Sequence, residues 1–497
     1  QPNLFAHWTL LESKPRIGGK YIRMKNKYIK LLIAPDFSVT LFQRKMTYYI
    51  DKLCNCKAVW LSLLAALFCL PALAQTSPWN DPAEMKRVES NIEKYRKGDA
   101  SITVLDKKGK PVANAMVVIQ QQTHEFLFGC NLFVLHQLST PELNRKYESA
   151  FTRLFNFATL PFYWRELEPE HGDLRFKEGS TFMWRRPPPD ELIKWCKAHG
   201  ILPKGHQLLY VKRKFMPDWI NPRDSNTLIA LAAKRMTQLA ERYGKDVPIW
   251  DAVNEDIARR KNPAQWDEVP NDFLAWAFQK ADSLFPKTST LLINDETKTS
   301  HDSTQQYVDV VKGLIDRNIR VDGIGIQFHM LKPKEFLSGR YFPPDRMHNA
   351  YEQLESLGKP IWITEITIPS KGQNGFRDQA AIVSNIYKLW FSEPRMKGIT
   401  WWNLGDGTAF GSENNFLGGI LDSAMNPKPA YKVLDQLINH DWKTSLTLKT
   451  DAGGKISFRG FHGKYSVRVL MNGKRKGEDY SFELSSGEKL HEATLRL

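Results

Sequence analysis

The sequence has little cysteine, no surplus of acidic charge and a single long apolar run. Five cysteines among 497 residues are too few for a disulfide scaffold, and Cys54, Cys56 and Cys69 all fall in the first 74 positions. That leaves Cys130 and Cys196, both in apolar or helical contexts, and the expectation is two buried thiols rather than a bridge. No CxxC pair, HExxH helix or Walker loop occurs. The usual footholds for a metal or a nucleotide are therefore missing, and no cofactor is expected. Wholesale disorder is excluded as well, because 42% of the residues are apolar and 12% aromatic, enough for the cores of two or more domains.

The basic excess, 70 Lys and Arg against 54 Asp and Glu, is uneven. Residues 1–57 hold eleven basic and three acidic residues, half of the formal +16. They lead into the apolar run AVWLSLLAALFCLPALA at 58–74, closed by the small-residue triplet Ala72-Leu73-Ala74. This pattern reads as a secretory signal peptide cut before Gln75, in preference to a retained membrane anchor. Met46 stands at the right distance to start it, so 46–74 is expected to be the signal peptide and 1–45 a leader or a non-translated extension. The destination would be the periplasm, the cell surface or the medium. Residues 75–497 then carry only about +8 with no concentrated basic stripe, so a nucleic-acid partner is not expected. Nothing in the sequence calls for an obligate protein partner.

Residues 75–497 show three successive patterns. Residues 75–125 form an N-terminal extension, with a charged helix around DPAEMKRVESNIEKYRK and then SITVLDKKGKPVANAMVVIQQQ, whose alternation about a KKGKP turn predicts a β-hairpin. From 126 to 440, short apolar runs alternate with helical patterns. Seven strands are visible, at 126–129, 201–210, 247–255, 290–295, 323–330, 360–366 and 398–404, and an eighth is expected in the aromatic stretch NFATLPFYW at 156–164. This is the signature of an α/β fold, a (β/α)8 TIM barrel. Gly200 and Gly244 stand just past helix ends, where a C-cap belongs. Residues 445–497 alternate tightly between Gly-rich turns and predict a small C-terminal all-β domain of five strands. Its aromatics, Phe458, Phe461, Tyr465, Tyr480 and Phe482, read as core more readily than as a sugar-binding face.

Chemistry concentrates at the ends of the barrel strands. Glu255 closes PIWDAVNE and Glu365 closes PIWITE, each following apolar residues that include Trp250 and Trp362. A carboxylate at such a place needs a solvent-filled cleft or strong partners. Two across one groove suit acetal hydrolysis, in which one carboxyl donates a proton while the other stays ionised. Around them stand His206 and Gln207, Asn254, Gln327 and His329, and the pair Trp401 and Trp402. Amides and imidazoles suit sugar hydroxyls, and a flat aromatic face suits the apolar side of a ring. Of two adjacent strand tryptophans only one can face the cleft, and Trp402 is the one favoured.

WDAVNE followed 110 residues later by WITEI, with KGHQLLY before and GIGIQFHM between, resembles glycoside hydrolase family 10, the endo-1,4-β-xylanase family. The resemblance covers roughly 126–434. It implies a retaining (β/α)8 hydrolase of internal β-1,4 linkages, with plant cell-wall xylan or a related β-glycan as substrate. It also implies that Glu255 is the acid/base and Glu365 the nucleophile, with His206, Asn254, Gln327, His329 and Trp402 binding the sugar. Asn294 and Asp295 match the family's ND motif as an orienting pair, and Pro429 and Tyr431 match its closing stretch in a structural role.

The departures concern the grip on the sugar. Where the family has an ENxMKW stretch, this chain has NFATLPFYWRELEPEHG, with Phe162 and Tyr163 before Trp164 and no lysine; Tyr163 and Trp164 are retained as sugar-binding candidates. GHTLVWH becomes GHQLLYV, so that Tyr210 replaces a tryptophan and Val211 a histidine. Arg165 is either a cationic donor for an acidic substituent or half of a surface salt bridge, and Trp184 in STFMWRRPPPDE is either a distal stacking platform or a cover for the barrel. A different β-linked glycan, or a carbohydrate-binding protein that has lost turnover, are the competing functions.

Overall fold

The structure is a computed structural model and describes residues 77–296, 301–487 and 490–497. The expected leader and signal peptide lie outside the described residues. Residues 76–497 form a single compact unit, built from a barrel and a β-sandwich. No helix among the described residues is long and apolar enough to cross a membrane.

The chain enters through the helix Pro82–Arg96, whose first turn is capped by the Asp81 side chain on the Ala83 amide. Strands β1 (Lys97–Leu105) and β2 (Met116–His124) follow. Next come β3 (Leu127–Asn131), β4 (Phe157–Pro161), β5 (Leu202–His206), β6 (Ile249–Asn254), β7 (Thr290–Glu296), β8 (Gly323–His329), β9 (Ile361–Thr367) and β10 (Met396–Trp401). These eight close into a barrel in the order β10-β3-β4-β5-β6-β7-β8-β9, with every neighbouring pair parallel. The expected (β/α)8 fold is therefore present, and the strand hidden in aromatic sequence is β4. Helices between the strands are set by local signals. Asp224 accepts from the Asn226 and Thr227 amides to start Ser225–Tyr243, and Gly200 takes the left-handed φ of +65° after Pro189–Ala198. Gly244 instead stays in the right-handed helical region; its value is space, because a Cβ there would meet the Ala240 carbonyl oxygen at 2.6 Å.

The barrel interior is filled in layers, as the fold requires. Its lower layer contains Phe157, Ile249, Leu292 and Trp362. Gly323 on β8 leaves room for the indole of Trp362, which would lie 2.2 Å from a Cβ at that position. Above that layer the inward side chains turn polar.

Strands β11 (Ser445–Lys449), β12 (Lys455–Phe461), β13 (Gly463–Met471), β14 (Lys474–Leu484) and β15 (His491–Arg496) are the five of the tail, but they do not stand alone. β1 joins one sheet, ordered β12-β1-β15, and β2 joins the other, ordered β11-β2-β13-β14. The extension and the tail thus build one sandwich, and the expected hairpin is a turn at residues 106–111 whose two strands pass into facing sheets. The reason is burial. Ile102 and Val104 from β1 and Val117 and Ile119 from β2 meet in the same core, whereas a flat hairpin would bury one face only. Phe458, Tyr465 and Phe482 fill that core, in line with the core reading. Phe461 turns to the barrel and meets Phe391, which stacks on Trp442 with ring centroids 4.1 Å apart. Cys130 and Cys196 are free and buried.

Candidate active site

Side-chain parity decides which residues reach the barrel mouth. On β5, Lys204 and His206 are two apart and share a face. β6 carries a bulge at Ala252, since Asp251 pairs with Leu292 and Val253 with Ile293. The extra residue lets Asp251 and Asn254, three apart, reach the same interior. β9 repeats the device at Thr364, with Ile363 opposite Ile326 and Glu365 opposite Gln327. Trp362 therefore fills the lower layer while Glu365 rises into the site.

Glu365 is held by three strands. Its Oε1 accepts from Asn294 Nδ2 at 3.0 Å, and its Oε2 lies 3.1 Å from His329 Nε2. Asn294 Nδ2 also donates to Asn254 Oδ1 at 2.8 Å, and Gln327 Nε2 donates to the same oxygen at 3.2 Å. Thr364 Oγ1 fixes the other end of the amide by donating to Asn294 Oδ1 at 2.5 Å. On the opposite side, His206 Nε2 is 4.0 Å from Glu365 Oε1 and 3.1 Å from the Tyr163 hydroxyl. His206 Nδ1 lies 2.7 Å from Asp251 Oδ2, which also takes Lys204 Nζ at 2.6 Å. Buried charges persist only with such partners.

The electrostatics follow. Burial pushes the Glu365 carboxyl up, but the His329 hydrogen bond and the charges of His206, His329 and Lys204 outweigh it and hold the carboxyl below its ordinary value. Burial pushes His329 down, and its bond to Glu365 more than reverses that. Asp251 is likewise held low, with Lys204 and His206 overcoming its burial.

Glu255 is placed differently. It sits between β6 and the short helix Asp256–Lys261 with a left-handed φ of +57°, a costly backbone state for a residue with a Cβ. Its amide donates to the Asn294 carbonyl at 2.8 Å. Asp295 secures the next turn by accepting from the Ile257 and Glu296 amides at 2.7 and 2.9 Å. Burial, opposed by those two amides and reinforced by Glu255 and Asp256, raises the Asp295 carboxyl to about 8. The Glu255 side chain is 20% exposed against 5% for Glu365, and its Oε2 is 3.3 Å from Lys212 Nζ. One carboxyl is thus held inside a hydrogen-bond cage that favours its ionised form, and the other stands nearer solvent.

A family model described as glycosyl hydrolase family 10 matches residues 123–437. The chain belongs to that family. Among curated relatives, the anti-sigma-I factor RsgI6 of Acetivibrio thermocellus is 24% identical over 84% of this chain and 50% of its own length. Endo-1,4-beta-xylanase 2 of Arabidopsis thaliana is 25% identical over 66% of this chain and 29% of its own. The chain thus spans half or less of the length of these relatives. Xylanase 10B of Thermotoga petrophila RKU-1, solved with xylobiose, shares the fold with a TM-score of 0.53 at 22% identity, over 64% of this chain and 95% of that one.

In this family 10 chain the remaining sequence candidates divide. Trp402 faces the site, its ring 5.2 Å from those of His206 and Phe133, while Trp401 points away and donates to the Gly418 carbonyl at 3.1 Å. Trp164 is engaged in the wall, with Nε1 donating to Glu168 at 2.9 Å, Trp219 edge-on at 6.3 Å and Arg235 over its face. Arg165 is a surface ion pair with Asp218. Tyr431 ties its hydroxyl to the Ala150 carbonyl at 3.1 Å, and Pro429 starts the helix Pro429–Gln436. A cavity of about 430 Å³ opens beside Gln327 and His329, walled by Lys332, Tyr341 and Phe342.

Sequence reasoning missed Lys204, Asp251, Lys212 and Phe133. The first two had a readable signal, since each is the single Lys, Arg, Asp or Glu of its strand. Lys212 had none. The segment after β5 runs beside β6, with Leu209 bridging to Val253, and that path brings the lysine to Glu255.

Proposed function

We propose that this family 10 hydrolase is an exported, retaining endo-β-1,4-xylanase acting on plant cell-wall xylan. The reading rests on the unlike settings of the two glutamates, Glu365 caged by Asn294 and His329 and Glu255 near solvent beside Lys212. Glu365 attacks the anomeric carbon while Glu255 protonates the departing glycosidic oxygen. Glu255 then acts as base on the water that releases the glycosyl-enzyme. Asn254, oriented by Asn294 and Gln327, presents its amide to a sugar hydroxyl, and Trp402 supplies an apolar face for the ring. A carboxyl separation of about 5–5.5 Å belongs to this chemistry, and inversion requires several ångströms more.

The xylanase names of the relatives support the substrate class. Reducing-sugar release by the purified protein on xylan, arabinoxylan, mixed-linkage glucan and carboxymethyl cellulose tests it. Xylan is expected to be cleaved fastest, and a faster reaction on either glucan would reassign the substrate.

A further inference from the structure

Two adjacent arginines near the site have no role in the chemistry above. Arg185 and Arg186 stand on the loop after β4, and only 3% and 6% of their surfaces are exposed. The Arg186 guanidinium lies 3.9 Å from the centre of the Tyr163 ring, and both guanidiniums lie over Phe133 at 5.3 and 5.5 Å. Phe133 packs on Trp402, and Tyr163 bonds His206. The pair is therefore one aromatic ring away from the residues that surround Glu365.

Burying two neighbouring cations is costly unless anions answer them. Here the answer is incomplete. Arg186 Nε reaches Glu166 only at 3.5 Å, and Arg185 Nη1 donates to a neutral partner, Asn403 Oδ1, at 2.7 Å. Arg185 Nε is buried with no acceptor at all. The loop is nevertheless held so that the guanidinium turns inward. Arg185 adopts a left-handed φ of +65°, its amide donates to Gln137 Oε1 at 2.6 Å, and Gln137 Nε2 donates to the Met183 carbonyl at 2.9 Å. The same loop leaves Phe182 and Trp184 67% and 45% exposed.

We propose that Arg185 and Arg186 bind the carboxylate of a uronic acid substituent on the xylan chain, so that the enzyme selects acid-decorated over neutral substrate. A guanidinium matches a carboxylate through two parallel N–H donors. A neutral hydroxyl would fill a hydrogen bond but leave Arg185 without an anion and Arg186 with only the long contact to Glu166. The inference rests on the xylanase reading given above.

The test compares kcat/KM on a xylo-oligosaccharide bearing one uronate branch, on the same oligosaccharide with that carboxyl reduced to an alcohol, and on the undecorated chain. The wild-type protein is expected to favour the acidic substrate by about tenfold or more, the scale of a hydrogen bond to a charged group. That ratio is expected to fall towards one in Arg185→Gln and in Arg186→Gln, and to recover in part in Arg185→Lys. A wild-type ratio of one between the acidic and carboxyl-reduced substrates overturns the proposal without any variant. So does a ratio that survives both glutamine substitutions in folded protein. Cleavage of neutral xylan with no acid preference refutes this inference alone, whereas no cleavage of any of the three substrates refutes the xylanase reading beneath it.

Discussion

Replacing His348 with Gln is expected to weaken the fold in a pH-dependent way. His348 lies on the helix Pro344–Glu355 and is wholly buried. Its Nε2 is 2.8 Å from Glu84 on the entry helix, and its Nδ1 meets Glu393. Burial pushes the imidazole down, but the two carboxylates outweigh it and lift it from 6.5 to about 9. At about 1.4 kcal/mol per unit, that lift corresponds to about 3 kcal/mol of stability. The sign follows from the direction. The contribution is complete below the unfolded value of 6.5, declines between 6.5 and about 9, and is lost above that. Urea unfolding followed by tryptophan fluorescence, for wild type and His348→Gln at pH 6 and pH 9.5, reads it directly. The stability gap between the two proteins is expected to be about 3 kcal/mol wider at the lower pH. A gap that stays constant over this range would refute a charged imidazole between two carboxylates.

The remaining predictions concern the site. Glu255→Ala is expected to cut xylan hydrolysis by about 10²- to 10⁴-fold. The loss should be much smaller on an aryl xyloside whose leaving group departs without a proton, and equal losses on both substrates would remove Glu255 from the acid role. Asn294→Ala deletes the amide shared by Asn254 and Glu365, and a lost hydrogen bond to a charged group of about 1.5–3 kcal/mol predicts a fall in kcat/KM of about 10- to 100-fold. His329→Gln removes the chief influence that holds the Glu365 carboxyl low. The acidic limb of kcat/KM against pH is therefore expected to move to higher pH, and an unmoved limb would show that His329 does not act through Glu365.

The barrel was legible because each of its strands is a short apolar run followed by a helix with its own caps, as at Asp224 and Gly200. The sandwich was not. Ile102 alternates as plainly as Ile456, but alternation says which face of a strand is buried and not that these two residues pair across the whole barrel. Glu255, Glu365, His206 and Trp402 could be picked out because each stands at a strand end in a polar cluster. The support beneath them was harder to see. The bulges at Ala252 and Thr364 shift parity by one residue, which brings Asp251 and Asn254 to one interior and frees Thr364 to orient Asn294. No period read along the sequence contains that shift. Arg185 and Arg186 carried no readable signal, because nothing local indicates that the loop turns both guanidiniums inward.

The configuration of the freshly released sugar reports most directly how Glu365 acts. Proton NMR of xylan hydrolysis, recorded before mutarotation, is predicted to show the β-anomer first, as double displacement through Glu365 requires. Initial release of the α-anomer would contradict the glycosyl-enzyme and with it the role assigned to Glu365.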